Sequence, residues 1–132
     1  MKFILSVVLL VSVGAACTKE QTPSKVNSGI EGNWKLIEQL NDPGDGSGTF
    51  QATNDNKVIT FDANGNFTCT ATTCMTGIGS GPSSGTYNLT NLTLSPDSCS
   101  AAGFDIRFEI YGDTMIISYP CFEACKEKFI KL

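Results

Sequence analysis

The side chains in this sequence that could do chemistry are thiols and carboxylates: its 132 residues include six cysteines and thirteen Asp or Glu, and no histidine. Without imidazole there is no Ser-His or Cys-His activation of a nucleophile and no proton shuttle tuned near neutral pH. The commonest transition-metal ligand is missing as well, and no metal or other cofactor is expected. A general base would have to be a carboxylate. Asp105 and Glu109 share a strand face, but it is the solvated one, so no catalytic residue is assigned and the chain is read as a non-enzyme. A net charge of −4, with Arg107 the single arginine, argues against a nucleic-acid partner, whose phosphates attract clustered Lys and Arg.

Five cysteines, Cys69, Cys74, Cys99, Cys121 and Cys125, follow Cys17. In an exported chain they oxidise in pairs, which leaves one over and keeps several connectivities open. Cys69 shares a strand face with Phe67 and is the expected buried free thiol. Cys74, Cys99, Cys121 and Cys125 fall in loops or at strand ends. Disulfides from Cys74 or Cys99 to the Cys121/Cys125 pair would staple the long loops at one rim, each worth roughly 2–4 kcal/mol. The alternative is a redox or metal role for Cys121 and Cys125, but their spacing is not Cys-x-x-Cys and no histidine completes a mixed site.

The stretch Asn41 to Asn56 carries the second constellation. Asp42, Asp45 and Ser47 among glycines place oxygens over a flexible backbone as a calcium loop does, yet the spacing is not Asp-x-Asp-x-Asp-Gly and no glutamate closes it. Read as a long glycine-rich connection over the mouth of the fold, the loop sets Asp42, Asp45, Ser47 and Phe50 where a ligand or partner would touch them.

The N-terminus is an address. Lys2 precedes an apolar run from Phe3 to Val13, and Gly14-Ala15-Ala16 supplies small residues before Cys17. The run is too short to cross a bilayer, which takes about 20 residues as a helix, and residues 1–16 read as a signal peptide. Cys17 behind small residues resembles the lipobox of bacterial lipoproteins, which implies acylation of its thiol and an outer-membrane lipoprotein of the cell envelope. Residues 17–28 are polar, hold one proline and no aromatic, and read as a flexible tether between membrane and domain. Acyl chains contribute about 0.8 kcal/mol per buried CH₂, so they would anchor the protein without electrostatic help.

From Gly29 to Leu132 the chain has the length of one domain, and its apolar residues alternate in short runs separated by turn residues. Gly32 to Leu40 puts Trp34, Leu36 and Leu40 on one face and Lys35 and Gln39 on the other, with Ile37 an exception. Lys57 to Asp62 pairs Ile59 with Phe61, and Asn64-Gly65 is a strong hairpin signal leading to Phe67, Cys69 and Ala71. Tyr87, Leu89, Leu92 and Leu94 are the apolar set around a Thr90-Asn91 turn. Phe104, Ile106, Phe108 and Ile110 alternate with polar residues, Gly112-Asp113 turns the chain into Thr114 to Tyr119, and Glu127 to Leu132 ends it. These eight strands and no helix predict an all-β fold. Closure into an eight-stranded antiparallel up-and-down β-barrel removes the exposed edges that an open meander would leave.

Four blocks in order, Gly32-Asn33-Trp34, Asp42 to Phe50, Ser84-Gly85-Thr86-Tyr87, and Cys121-Phe122-Glu123-Ala124-Cys125 followed by Glu127-Lys128-Phe129, resemble the small lipocalin-like lipoproteins of Bacteroidetes-type bacteria. The resemblance spans 29–132 and implies a lipocalin-like barrel. It also implies that Gly32 and Trp34 pack at the closed end of the barrel beneath a basic side chain from near the last strand, Lys128 or Lys131, since alternation points Arg107 outward. The strands are short and the inward set of Trp34, Leu36, Ile59, Phe61, Phe67, Tyr87, Leu92, Phe104, Ile106 and Phe108 is bulky, so the barrel is expected to be small and shallow.

Two functions follow. One is an envelope-anchored, non-catalytic binding module that takes a small apolar molecule at the barrel mouth. The other is a filled barrel that acts structurally or binds an envelope protein through its rim loops. An empty apolar cavity under the Asn41 to Asn56 loop favours the first, and a packed core with an exposed apolar rim favours the second.

Overall fold

The computed structural model describes residues 29–74, 81–98 and 106–132. The signal peptide, Cys17, the tether, Cys99, Phe104 and Asp105 lie outside the described residues. Strands form where apolar residues alternate: β1 (Gly32–Asn41), β2 (Gln51–Ala52), β3 (Val58–Phe61), β4 (Asn66–Cys69), β5 (Ser83–Asn88), β6 (Thr93–Pro96), β7 (Ile106–Tyr111), β8 (Thr114–Tyr119) and β9 (Cys125–Lys131). Each pairs antiparallel with its sequence neighbour from β3 to β9. β1 closes the cylinder, pairing β3 through Gly32 to Lys35 on one edge and β9 from Trp34↔Lys131 to Asn41↔Cys125 on the other. The result is a closed eight-stranded antiparallel barrel of β1 and β3–β9, with no helix among the described residues.

β2, two residues that pair with Glu38 and Gln39 of β1, was not anticipated within the Asn41 to Asn56 connection. In its ladder with β9, β1 carries a register shift between Leu36 and Glu38, a β-bulge that leaves Ile37 as the extra residue opposite β9. A bulge reverses which side of the strand faces in. It explains why Ile37 breaks the alternation, and it corrects the face assigned beyond it. Gln39, expected outside, lines the interior at the mouth, whereas Leu40, expected with Trp34 and Leu36, is only half-buried.

The tight turns all lie at one end. There Asp62 accepts from the backbone N–H of Asn64 and Asn66, each at 2.8 Å, and so holds the β3–β4 turn. The turn between β5 and β6 takes Leu92 into positive φ and leaves Leu89, expected in the apolar set, half in solvent. Gly32 adopts φ of 113°, a conformation that a Cβ resists. The bend brings the Ile30 carbonyl under the indole of Trp34, whose Nε1–H donates to it at 2.7 Å. Lys131 Nζ lies 5.6 Å from the Trp34 ring centroid and donates to the Gly29 carbonyl at 2.6 Å, so Lys131 rather than Lys128 covers the tryptophan.

Above this plug the interior is full. Trp34, Leu36, Ile59, Phe67, Phe108, Met115, Ile117 and Phe129 are all but inaccessible. Phe61 joins them, with Tyr87 edge-on at 5.2 Å and Phe67 and Phe108 at 6.1 and 6.4 Å. Tyr87 and Leu92 pack against the core without being enclosed. At the inward position Gly85 there is no room for a side chain, because a Cβ would meet the Ser95 carbonyl at 2.3 Å and the Phe67 ring at 2.8 Å. An eight-stranded barrel has an interior that side chains alone can fill, and here they do so from the closed end upward.

Candidate functional site

At the opposite end, three strands place a polar residue at the last inward position before the rim. Lys57 precedes Ile59 and Phe61 by the strand period, Glu127 precedes Phe129, and Tyr119 follows Ile117. The long side chains meet. Lys57 Nζ donates to both oxygens of Glu127, at 2.7 and 3.0 Å, and to Tyr119 Oη at 3.3 Å. Tyr119 donates its hydroxyl proton to Glu127 Oε2 at 2.5 Å, and Gln39 Nε2 reaches Glu127 Oε1 at 3.4 Å. The side chains of Lys57 and Glu127 are only 9% and 13% exposed. Desolvation, together with the charge and hydrogen bond of Glu127, pushes the Tyr119 phenol well above its ordinary value of 10.0. The group is electrostatically closed, since each donor faces an acceptor inside the cluster and no buried side-chain polar atom is left without a partner among the described residues.

This cluster floors a cleft of about 130 Å³. Gln39, Asn41, Thr72, Cys74, Cys125 and Lys126 complete its wall. Drug-sized ligands occupy pockets of roughly 300–1,000 Å³, so the cleft fits a molecule of a few heavy atoms or one end of a larger one. Beside it, Cys69 is buried and is the free cysteine among the described residues, with its thiol pushed up by desolvation.

The other sequence-predicted residues lie elsewhere. Cys121 and Cys125 bond to each other, with Cα atoms 6.0 Å apart, and Cys74 is disulfide-bonded separately. Bridges from Cys74 to the Cys121/Cys125 pair are therefore excluded, and the expected staple between distant loops is replaced by a clasp within the β8–β9 loop. That loop folds back so that the two Cα atoms fall within the range a disulfide can span. Among the described residues no group of three or more His, Cys, Asp or Glu has the geometry to hold a metal ion.

Asp42 folds its own loop. Its carboxylate accepts backbone N–H groups from Gly44 (2.7 Å), Gly46 (3.0 Å) and Gly48 (2.8 Å), while Asp45 accepts from Ser47 N–H at 2.9 Å. Those amides, with Gly48 the largest contributor, hold the Asp42 carboxyl below its ordinary 3.8. They present positive ends to the oxygens that a cation would need. Asp42 is joined to the β8–β9 loop by its N–H to the Ala124 carbonyl at 2.9 Å, and Asp45 and Ser47 are exposed on the same loop as Asp42. Phe50 packs against the outer wall, 4.2 Å from Lys128 Nζ, which also pairs with Glu38. None of the four lines the cleft.

Because the folded Asp42 carboxyl is the more acidic form, the order it confers on the loop is complete above 3.8 and is lost as pH falls through its depressed folded value. The amide resonances of Gly44, Gly46 and Gly48 are expected to titrate together below pH 3.8, while that of Gly85 stays fixed. Independent titration of the three would show that they do not share Asp42.

Lys57, Glu127, Tyr119 and Gln39 were missed as site residues. The signal for the first three was present, a polar residue in phase with an inward apolar run. Gln39 gave none, because its inward aim depends on the bulge. A family model described as a lipocalin-like domain matches residues 30–117, which include Lys57 and stop short of Tyr119 and Glu127. No curated protein and no solved structure matches the chain.

Proposed function

Since this chain belongs to the lipocalin-like domain family, we propose that it is a non-catalytic binding module of the cell envelope. It is tethered by an acylated Cys17 and takes a small molecule at its barrel mouth. The observation that carries this reading is the cleft of about 130 Å³ above an otherwise filled barrel. Its size selects a molecule of a few heavy atoms or one end of a larger one, and its floor selects a compact polar end that leaves the Lys57–Glu127–Tyr119 cluster paired. The self-saturated cluster also supports the absence of catalysis, because Glu127 already accepts from Lys57, Tyr119 and Gln39 and offers no free base.

Chemical-shift titration of the folded domain with a short alcohol such as n-pentanol tests the binding. Saturable shifts are expected at the amides of Asn41, Thr72 and Lys126, with Gly65 at the closed end unaffected. Uniform or absent shifts would sink the binding reading. Mass spectrometry of the chain from a lipoprotein-processing bacterium tests the anchor, with diacyl or triacyl mass expected on Cys17.

The second reading, a filled barrel that binds an envelope protein through its rim, is favoured by Phe122. This side chain is fully exposed on the loop clasped by the Cys121–Cys125 disulfide. A rigid loop displaying an aromatic side chain loses little entropy on binding.

A further inference from the structure

Five large apolar side chains are exposed among the described residues, and four of them, Leu89, Tyr111, Ile130 and Leu132, lie at the closed end. Only Phe122 is at the mouth. Leu89 is in the β5–β6 turn, whereas Tyr111 and Ile130 flank Thr114 across β7, β8 and β9 in register, on the outer face. Leu132 follows one strand period after Ile130 and is held to β1 by its N–H to the Asn33 carbonyl at 2.9 Å. Singly scattered exposed apolar residues are ordinary, and what distinguishes these four is that they share one end of a small barrel, with Tyr111 and Ile130 on either side of one residue of β8.

The same corner is where the described chain begins. Lys131, between Ile130 and Leu132, turns its side chain to the opposite face from theirs and donates to the carbonyl of Gly29 at 2.6 Å, so Gly29, the first described residue, lies at this same end of the barrel. Residues 17–28 can span at most roughly 40 Å even if fully extended, at about 3.3–3.6 Å per residue. An acyl group on Cys17 would thus keep the closed end within that distance of the lipid and raise the effective concentration of membrane around it.

We propose that the closed end of the barrel, through Leu89, Tyr111, Ile130 and Leu132, rests on the lipid surface to which the chain is anchored, so that the mouth faces away from the membrane. This rests on the acylated-anchor reading above. Tyr111 suits the headgroup level, where an aromatic ring with a polar tip is favoured. The lipid surface it fits is zwitterionic. Lys35, opposite Ile130, and Lys131 are outnumbered at this end by Glu31, Asp62, Asp113 and Glu109, whose carboxylate accepts from the Tyr111 hydroxyl, which leaves no basic patch for anionic headgroups.

The test uses the full acylated chain in vesicles of phosphatidylcholine and phosphatidylethanolamine that contain brominated phosphatidylcholine, a short-range quencher of tryptophan. Leu132→Trp reports on the closed end and Phe122→Trp on the mouth. Both positions are exposed and tolerate a larger apolar ring, and the unsubstituted chain gives the background from buried Trp34. Quenching of Leu132→Trp severalfold above that of Phe122→Trp is expected, unchanged when anionic lipid is added. Vesicle flotation with equal quenching at the two positions overturns the proposal and leaves the anchor standing. Failure of the unsubstituted chain to float overturns the anchor and the proposal together. A lipid-independent dimer that shifts the Leu132→Trp emission would assign the surface to a second copy and overturn it too.

Discussion

Replacing Lys57 with methionine is expected to destabilise the barrel by about 3–5 kcal/mol, the usual cost of removing one partner from a buried ion pair. Methionine keeps most of the volume, so little of the loss comes from packing. It comes from Glu127, whose carboxylate sits 13% exposed at the floor of the cleft and would keep only Tyr119 and Gln39 as donors. Replacing both partners, Lys57→Met with Glu127→Leu, is expected to recover most of the loss, since the desolvation of both charges disappears together. Urea unfolding of the two single variants and the double variant measures the coupling. If the two single losses add up to the loss of the double variant, the pair is not coupled and the cluster does not act as a unit.

Trp34→Ala carries an effect of the same size, about 3–5 kcal/mol, because it empties the largest side-chain volume at the closed end. Trp34 is 1% exposed, beneath Lys131 and against the core. Trp34→Phe separates packing from hydrogen bonding. It keeps an aromatic ring but leaves the Ile30 carbonyl without its indole donor, a loss of about 1–3 kcal/mol. The closed-end plug would then loosen locally, which amide exchange of the first residues of β1 detects. Equal stability of Trp34→Phe and the native chain would show that the indole N–H contributes nothing.

These two positions mark the two ends of the barrel and divide its tasks. The closed end is held by Gly32, Trp34 and Lys131 and carries four of the five exposed large apolar side chains among the described residues. The mouth carries the polar cluster, the disulfide clasp and the loop folded around Asp42. A cleft is tolerated at the mouth because the core below it, from Trp34 to Phe108, is filled by side chains alone.

Alternation along the chain determined most of the fold. Ile59 with Phe61, Phe67 with Cys69, and Ile106 with Phe108 face inward as expected, because side chains on a strand point to opposite faces with a fixed period. Closure into an eight-stranded barrel followed from the run of short hairpins, and the burial of Cys69 as a free thiol followed from its phase with Phe67. What depends on contacts between distant residues was not legible. The bulge at Ile37 arises in the pairing of β1 with β9, and it alone turns Gln39 toward Glu127. The pairing of Cys121 with Cys125 rather than with Cys74 depends on how tightly the β8–β9 loop folds back. Lys57, Tyr119 and Glu127 each fall in phase with an inward apolar run, but they become a buried cluster only when closure of the barrel brings the ends of three strands around one space. Periodicity is local and written in the order of residues, whereas register and the meeting of long side chains are decided by the whole cylinder at once.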